Sequence, residues 1–293
     1  MAVIFSFTPL RQKPPNPLPP LEEMDLPGTN ARSLILIHGL TGTPFEMRFL
    51  AYHFKRKGYS VTCPRLANHG LPIGVLQRSK WQDFYASVRD CFLKLKKEKR
   101  LNGPVFVSGL SMGALLALLL AEEFAGEIKA VSCLSPTLFY DGWNSPWTRI
   151  FIPLAYATPL KHIAYFKEES PYGFKNELIR KKVHEYFHHA RLDDLTAVDK
   201  YGYPFFPVNL LHQLHLLVKH LSKKLPNITV PVQVLQAKED DMTSVKNSEF
   251  IYDRIASKKK ELFLFLDSYH IITADQERDK VAAKMEEFFT HAL

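Results

Sequence analysis

The sequence predicts an α/β fold in which a mostly parallel, doubly wound sheet is covered by helices on both faces. Short, nearly continuous apolar runs alternate with longer stretches of helical periodicity, and this alternation is typical of parallel α/β sheets. Strands are predicted at residues 34–37, 59–63, 105–108, 130–134, 232–235 and 262–266. Helices are predicted at about 45–57, 80–99, 112–124, 245–257 and 276–290.

Two segments of the 293-residue chain depart from this alternation. Seven of the 20 prolines fall within the first 27 residues, so residues 1–29 are predicted to form an extended arm on the surface. Residues 137–226 contain no convincing buried strand but hold 16 of the 36 aromatic residues. Because so long a structureless loop is improbable, this segment is interpreted as a mostly helical cap. The core then comprises residues 30–136 and 227–293.

Composition excludes several classes of protein. The hydrophobic share of 46% and the charged share of 23% are those of a globular chain rather than a disordered one. The three cysteines are too few and too scattered for a disulfide framework or a zinc site, which favours free thiols and a cytoplasmic location. The longest apolar run, residues 113–121, is about half of a membrane span.

The net charge of +8 leaves open which partners the protein meets. No motif of a nucleic-acid-binding protein accompanies the basic residues, so nucleic acid is not predicted as a partner. The cap carries 12 basic and eight acidic residues. We therefore expect at most a weak contact with an anionic lipid surface, or attraction of anionic substrates toward the cap.

A nucleophile motif, Gly109-Leu110-Ser111-Met112-Gly113, lies between a predicted strand and an apolar helical run. This G-x-S-x-G pattern in a strand–turn–helix context predicts a nucleophilic serine on a sharp turn. Glycines two residues to either side of Ser111 remove the Cβ atoms that would collide where strand and helix meet. The backbone N–H of Met112, at the start of the helix, is then a candidate donor to an oxyanion.

A serine nucleophile needs a base and an acid that orients the base. His270 follows the last predicted strand, and two acids, Asp240 and Asp241, follow the strand before it. Loops at the carboxyl ends of parallel strands meet at one edge of the sheet, where α/β folds bind ligands. His270 is therefore the predicted base. The position after the strand favours Asp240 over Asp241 as the acid, and Asp241 and Glu239 are interpreted as solvated loop charges.

A second oxyanion donor is expected from the loop after the first predicted core strand. There Gly39 lets the backbone turn inward, so that the N–H of Leu40 can point at the developing charge. His38 is interpreted as a structural residue that orients this loop rather than as a catalyst.

Taken together, these segments resemble the α/β-hydrolase family, and within it the bacterial carboxylesterases and monoacylglycerol lipases. The matching motifs are His38-Gly39-Leu40-Thr41-Gly42, Asn68-His69-Gly70, Trp81 at a helix start, Gly109-Leu110-Ser111-Met112-Gly113, Gln236-Ala237-Lys238-Glu239-Asp240-Asp241-Met242 and Ser268-Tyr269-His270-Ile271-Ile272-Thr273-Ala274-Asp275. The resemblance implies Ser111 as nucleophile, Asp240 as acid and His270 as base, with the N–H groups of Leu40 and Met112 as the oxyanion hole.

The resemblance also implies the α/β-hydrolase fold and a chemistry. We expect a serine hydrolase that cleaves short- to medium-chain acyl esters, monoacylglycerols among them, through an acyl-enzyme and without metal or organic cofactor. The alternative is a thioesterase or acyltransferase, for example one acting on acyl-CoA, because the same triad serves thioesters. Two features depart from the family: the long insertion at 137–226, and Tyr269 where glycine is commoner before the histidine.

Two histidine pairs at helical spacing could in principle bind a metal. His184 and His188 are one helical turn apart, and His212 and His215 form a second pair. Nothing else in the sequence calls for a metal, so both pairs are interpreted as helix-surface residues of the cap.

Overall fold

The computed structural model of the protein describes residues 3–5, 24–145, 147–192, 195 and 198–293. Ten strands lie in these ranges: β1 (Val3–Phe5), β2 (Met24–Leu26), β3 (Ser33–Ile37), β4 (Ser60–Cys63), β5 (Val105–Leu110), β6 (Ile128–Leu134), β7 (Ala164–Lys167), β8 (Phe205–Pro207), β9 (Val232–Ala237) and β10 (Lys260–Phe265). Seven of them form the main sheet, in the order β2-β4-β3-β5-β6-β9-β10. All neighbours in this sheet run parallel except β2, which pairs antiparallel with β4 at the edge.

Helices connect the strands and cover the sheet. The described helices are α1 (Arg48–Arg56), α2 (Ile73–Leu76), α3 (Trp81–Lys97), α4 (Met112–Glu123), α5 (Ile152–Tyr156), α6 (Glu177–His189), α7 (Val198–Tyr201), α8 (Val208–Lys224), α9 (Lys246–Arg254) and α10 (Arg278–His291). Short 3₁₀ turns occupy Pro44–Met47, Trp147–Phe151, Pro159–His162 and Leu225–Asn227.

The core lies on both faces of the main sheet because successive strand residues point to opposite sides. In β3, Leu34 and Leu36 pack with α1 and α10, whereas Ile35 and Ile37 pack on the other face, with α3, α4, α8 and α9. Both sets of side chains are almost fully buried. This two-sided burial explains why the strands read as continuous apolar runs, and it confirms the predicted doubly wound sheet.

The predicted core elements are confirmed with boundaries that shift by a few residues. All six predicted strands and all five predicted helices are present. Two short elements of the core, β2 and α2, were not predicted. Each has only three or four residues, which is too short to show a periodicity.

The interpretation of residues 137–226 as lacking a buried strand was wrong. Helices do predominate there, but β7 and β8 are buried and pair antiparallel with each other. Phe205–Pro207 follows one proline and ends in another, a composition that disfavours a strand assignment from sequence. Only the pairing with a segment 40 residues earlier makes it a strand.

The N-terminal arm is also more structured than predicted in the parts that are described. Val3–Phe5 pairs antiparallel with β7 of the insertion, and Met24–Leu26 is the edge strand of the main sheet. Residues 6–23, which hold six of the arm's prolines, lie outside the described residues. The described ends of the arm thus contact both the insertion and the core.

Candidate active site

Ser111 lies on the turn between β5 and α4, as the motif predicts. Its backbone has φ 57° and ψ −119°, a conformation that is rare for residues with a side chain and that occurs at sharp nucleophile turns. A Cβ atom at Gly109 would lie 2.1 Å from the carbonyl oxygen of Gly113. A Cβ atom at Gly113 would lie 2.3 Å from the carbonyl oxygen of Ile37. The two glycines are therefore sterically required for this turn.

His270 and Asp240 are brought together by the loops after β10 and β9. The His270 Nδ1 lies 2.9 Å from Oδ2 and 3.1 Å from Oδ1 of Asp240. Asp240 also accepts the backbone N–H groups of Met242 and Thr243, each at 2.9 Å, and the Thr243 hydroxyl at 3.0 Å. These donors hold the carboxylate in place, and the carboxylate in turn favours a proton on His270 Nδ1.

The electrostatic surroundings of His270 favour its protonated form. Burial alone lowers the pKa of this imidazole, but the adjacent Asp240 carboxylate, together with Asp241 and Glu46, raises it above the usual histidine value. A base whose conjugate acid is stabilised accepts a proton from a serine more readily.

Asp241 is buried, so its interpretation as a solvated loop charge was wrong. It is 2% exposed, and its two oxygens accept the backbone N–H of Gly173 at 3.1 Å and of His270 at 3.3 Å. Burial, with the neighbouring Asp240 charge, raises the pKa of Asp241 to about 6. Glu239 does match the expectation of a solvated loop charge, because it is exposed and pairs with Lys175 at the surface.

The loop after β3 is held by His38 from behind. His38 Nε2 accepts the N–H of Leu66 at 3.1 Å, which leaves the proton on Nδ1, 2.9 Å from the carbonyl oxygen of Gly39. Complete burial lowers the pKa of His38 well below its usual value, so the ring is neutral. The Gly39 carbonyl belongs to the same peptide unit as the N–H of Leu40. His38 therefore fixes the direction of that N–H, which agrees with its interpretation as a structural residue.

Two further side chains, for which no role was predicted, hold the same loop. Glu46 accepts the N–H of Gly39 at 3.0 Å, and burial raises the pKa of Glu46 to about 7. His69 Nε2 lies 2.8 Å from the Leu40 carbonyl oxygen, and burial lowers the pKa of His69 to about 4. His69 lies within a motif that supported the resemblance, which was a usable signal. Glu46 carries no such signal, since only the fold brings it back onto Gly39.

The N–H groups of Leu40 and Met112 are available to a ligand. Throughout the described ranges, neither donates a hydrogen bond to a protein atom. Both residues belong to segments that meet at Ser111, since β3 and β5 are neighbours in the sheet. This is the arrangement expected for two donors to one oxyanion.

A cavity of about 300 Å³ opens between this edge of the sheet and the insertion. Ser111 and His270 both line it, together with Leu40 and Glu46. The insertion contributes mainly aromatic side chains to the lining: Tyr140, Tyr172, Phe174, Phe187, Tyr201, Tyr203 and Phe206. Charged side chains line the cavity as well: Glu46, Glu168, Lys182, Lys200 and Arg278. A mainly apolar cavity with some polar groups is typical of a small-molecule site.

The histidine pairs of the insertion pack against aromatic rings. His184 Nδ1 lies 2.8 Å from the Tyr172 hydroxyl, and its ring lies beside that of His188. His212 stacks on Tyr156 with a centroid distance of 4.7 Å. Over the residues that the structure describes, no three metal-binding side chains cluster.

The sheet order, the serine on its strand–helix turn and the histidine–aspartate pair at the carboxyl edge define an α/β hydrolase. Residues 28–277 match the family profile described as serine aminopeptidase, S33, and the chain belongs to this family.

Two curated relatives align over most of their length. One is a thermostable monoacylglycerol lipase of Bacillus sp. (strain H-257), 29% identical over 262 residues, which cover 87% of this chain and 89% of that protein. Another is a carboxylesterase of Bacillus subtilis (strain 168), 26% identical over 257 residues, with coverage of 88% and 92%.

Solved structures share the fold. A structure reported for two metagenome-derived lipolytic enzymes aligns with a TM-score of 0.71 and 26% identity, covering 94% of this chain and 99% of that one. The monoacylglycerol lipase of Paleococcus ferrophilus aligns with a TM-score of 0.75 at 18% identity, with coverage of 93% and 99%.

Proposed function

We propose that this protein is a serine carboxylic-ester hydrolase that cleaves short- to medium-chain acyl esters, monoacylglycerols among them. The observation that carries this proposal is the His270–Asp240 pair, which opens with Ser111 into one largely apolar cavity. The relatives named monoacylglycerol lipase and carboxylesterase support the same reaction class.

In the proposed mechanism, Ser111 Oγ attacks the ester carbonyl while His270 Nε2 takes the serine proton. Asp240 keeps the other ring proton on Nδ1 and stabilises the imidazolium that forms. His270 then protonates the leaving alcohol, and the acyl group remains on Ser111. In the second half of the reaction His270 activates a water molecule, which releases the acid and restores the serine.

The N–H groups of Leu40 and Met112 would hold the oxyanion of both tetrahedral intermediates. A donor of this kind is worth about 3 kcal/mol of transition-state stabilisation. His38 and Glu46 hold the peptide units around Gly39, so the Leu40 donor needs no reorganisation when charge develops. The reaction as proposed needs neither a metal nor an organic cofactor.

The insertion, residues 137–226, would act as a cap that binds the acyl chain. Its aromatic side chains line the cavity that contains Ser111. Transfer of an apolar acyl chain from water to such a surface is favourable. A thioesterase or acyltransferase is not favoured, because the named relatives are ester hydrolases.

A weak contact with an anionic lipid surface belongs to the proposal. Four large apolar side chains of the cap are between 46% and 68% exposed: Ile150, Phe151, Leu154 and Leu160. Basic residues, among them Arg149 and Lys161, lie in the same stretch, which suits a surface of negative headgroups. Within the described ranges, every helix is too short or too polar to span a bilayer. The cytoplasmic location stays a prediction.

The test is a Ser111→Ala variant assayed on p-nitrophenyl esters of two to sixteen carbons and on monoacylglycerols. We expect a loss of esterase turnover of about 10³-fold or more, with no covalent labelling by a fluorophosphonate. Ser222→Ala, on α8, is the matched control and should keep both properties. Wild-type turnover in the Ser111→Ala variant would overturn the proposal.

A further inference from the structure

The nucleophile makes its hydrogen bond to a residue outside the proposed triad. Ser111 Oγ lies 2.8 Å from the hydroxyl oxygen of Thr137, and both side chains are buried. In the described part of the chain, Ser111 Oγ forms no hydrogen bond with His270. The resting serine is therefore held by Thr137 rather than by the proposed base.

Thr137 is a fixed neighbour because β5 and β6 end side by side. The N–H of Ser111 donates to the carbonyl of Leu134, the last residue of β6, at 2.9 Å. Thr137 follows three residues later and is completely buried. The hydroxyl groups of Ser111 and Thr137 therefore lie side by side at this edge of the sheet.

A buried amide holds the segment that follows Thr137. Asn247 Oδ1 accepts the next two backbone N–H groups, at 2.8 and 2.7 Å. The Asn247 Nδ2 donates to Asp141 at 2.9 Å and to the carbonyl of Ser244 at 3.0 Å. These hydrogen bonds fix the backbone next to Thr137 and so restrict the position of its hydroxyl group.

Either hydroxyl group can donate in the pair formed by Ser111 and Thr137. Thr137 Oγ1 has a second neighbour, the carbonyl oxygen of Ser135 at 3.4 Å, and a carbonyl can only accept. Whichever hydroxyl group donates, Ser111 Oγ is held beside Thr137 by the shorter of these two contacts.

We propose that Thr137 is a positioning residue that holds Ser111 in a resting rotamer, from which the serine must turn toward His270 before it can attack. This inference rests on the proposed function of Ser111 as nucleophile. A buried hydrogen bond between neutral groups stabilises the resting rotamer only modestly. The productive rotamer should therefore be about three- to tenfold less populated than the resting one. An ester bound at the oxyanion donors would offset this bias by drawing Ser111 Oγ toward its carbonyl carbon.

The experiment measures the second-order rate constant for labelling by diisopropyl fluorophosphate. This small reagent phosphorylates the serine as fluoride leaves and His270 takes the proton. In a Thr137→Val variant the side chain keeps its shape but has no hydroxyl group to pair with Ser111, so labelling should be about three- to tenfold faster than in the wild type. A Thr137→Ser variant keeps the hydroxyl and should label at the wild-type rate. Thr290→Val, on the exposed end of α10, is the matched control.

The outcomes separate this inference from the function on which it rests. If the wild type does not label at Ser111, the proposed function fails. If the wild type labels but Thr137→Val labels at the same rate or more slowly, the positioning role is refuted. A merely structural role predicts slower labelling, because damage to the site does not accelerate a chemical step. Should Thr137→Val not fold, Thr137→Ala removes the same hydroxyl group and is held to the same criterion.

Discussion

Replacing Asp240 by asparagine isolates the role of one carboxylate oxygen. In the described part of the chain, the groups that hydrogen-bond to Asp240 all donate, the Gln236 amide at 3.4 Å among them, so the carboxylate acts only as an acceptor. Asparagine keeps one acceptor oxygen and introduces an NH₂ group. Two backbone N–H groups, those of Met242 and Thr243, point at Oδ1 and cannot be reversed. The amide oxygen therefore takes the Oδ1 position and the NH₂ group the Oδ2 position, which is the nearer of the two to His270 Nδ1, at 2.9 against 3.1 Å.

This orientation changes the histidine tautomer. An NH₂ group opposite Nδ1 requires that nitrogen to accept, which moves the ring proton to Nε2. A histidine that already carries a proton on Nε2 cannot take one from Ser111. In triads of this type the loss is about 10⁴-fold in kcat, which corresponds to about 5.4 kcal/mol of activation free energy.

The assay compares kcat/KM on p-nitrophenyl butyrate for Asp240→Asn and Asp241→Asn. Asp241 accepts backbone N–H groups and does not touch the imidazole ring, so its replacement should cost about tenfold or less. ¹⁵N NMR of the histidine side chains would report the tautomer directly. If Asp241→Asn lost more activity than Asp240→Asn, the acid would be misassigned by one residue and the tautomer reasoning would be refuted.

Three other outcomes are expected. The Glu46 carboxyl is mostly charged only above its raised pKa of about 7, and that charge raises the pKa of His270. In Glu46→Gln the acid limb of the pH profile of kcat/KM should therefore move slightly to lower pH, and an unchanged limb would contradict that coupling. His38→Ala leaves two buried backbone groups without a partner, so urea denaturation should show a loss of about 2–4 kcal/mol in the free energy of unfolding, whereas a loss below 1 kcal/mol would speak against it. Leu154→Ser should weaken binding to anionic vesicles about tenfold in a sedimentation assay, while hydrolysis of a dissolved ester persists. Unchanged vesicle binding would contradict the proposed contact between the exposed apolar side chains of the cap and a lipid surface.

Much of the core could be predicted because its signals are local. The strand before Ser111, the glycines around it and the apolar helix after it are contiguous, and steric conflict within a few residues dictates the turn. The positions of Asp240 and His270 could be predicted by a further step, since loops after parallel strands converge at one edge of the sheet.

The residues that were misjudged or missed depend on contacts between distant segments. From the sequence, Asp241 has the pattern of a solvated loop charge. In the structure it accepts a hydrogen bond from the backbone of Gly173, 68 residues earlier in the chain. Thr137 has no recognisable motif, and only the pairing of β5 with β6 sets its hydroxyl beside Ser111. β7 likewise depends on distant segments, because its two pairing partners are β1, near the N-terminus, and β8, later in the insertion.

The sequence by itself determined the doubly wound sheet, the order of the candidate site residues and the steric need for glycine on either side of the serine. Those features follow from periodicity and from clashes within a few residues. Only the tertiary structure decided which groups surround the site: the buried Asp241, the Glu46 carboxyl on Gly39, the Thr137 hydroxyl on Ser111 and the strands of the cap. Each of these depends on a hydrogen bond or a burial created by segments far apart in the chain, and no local pattern encodes such a contact.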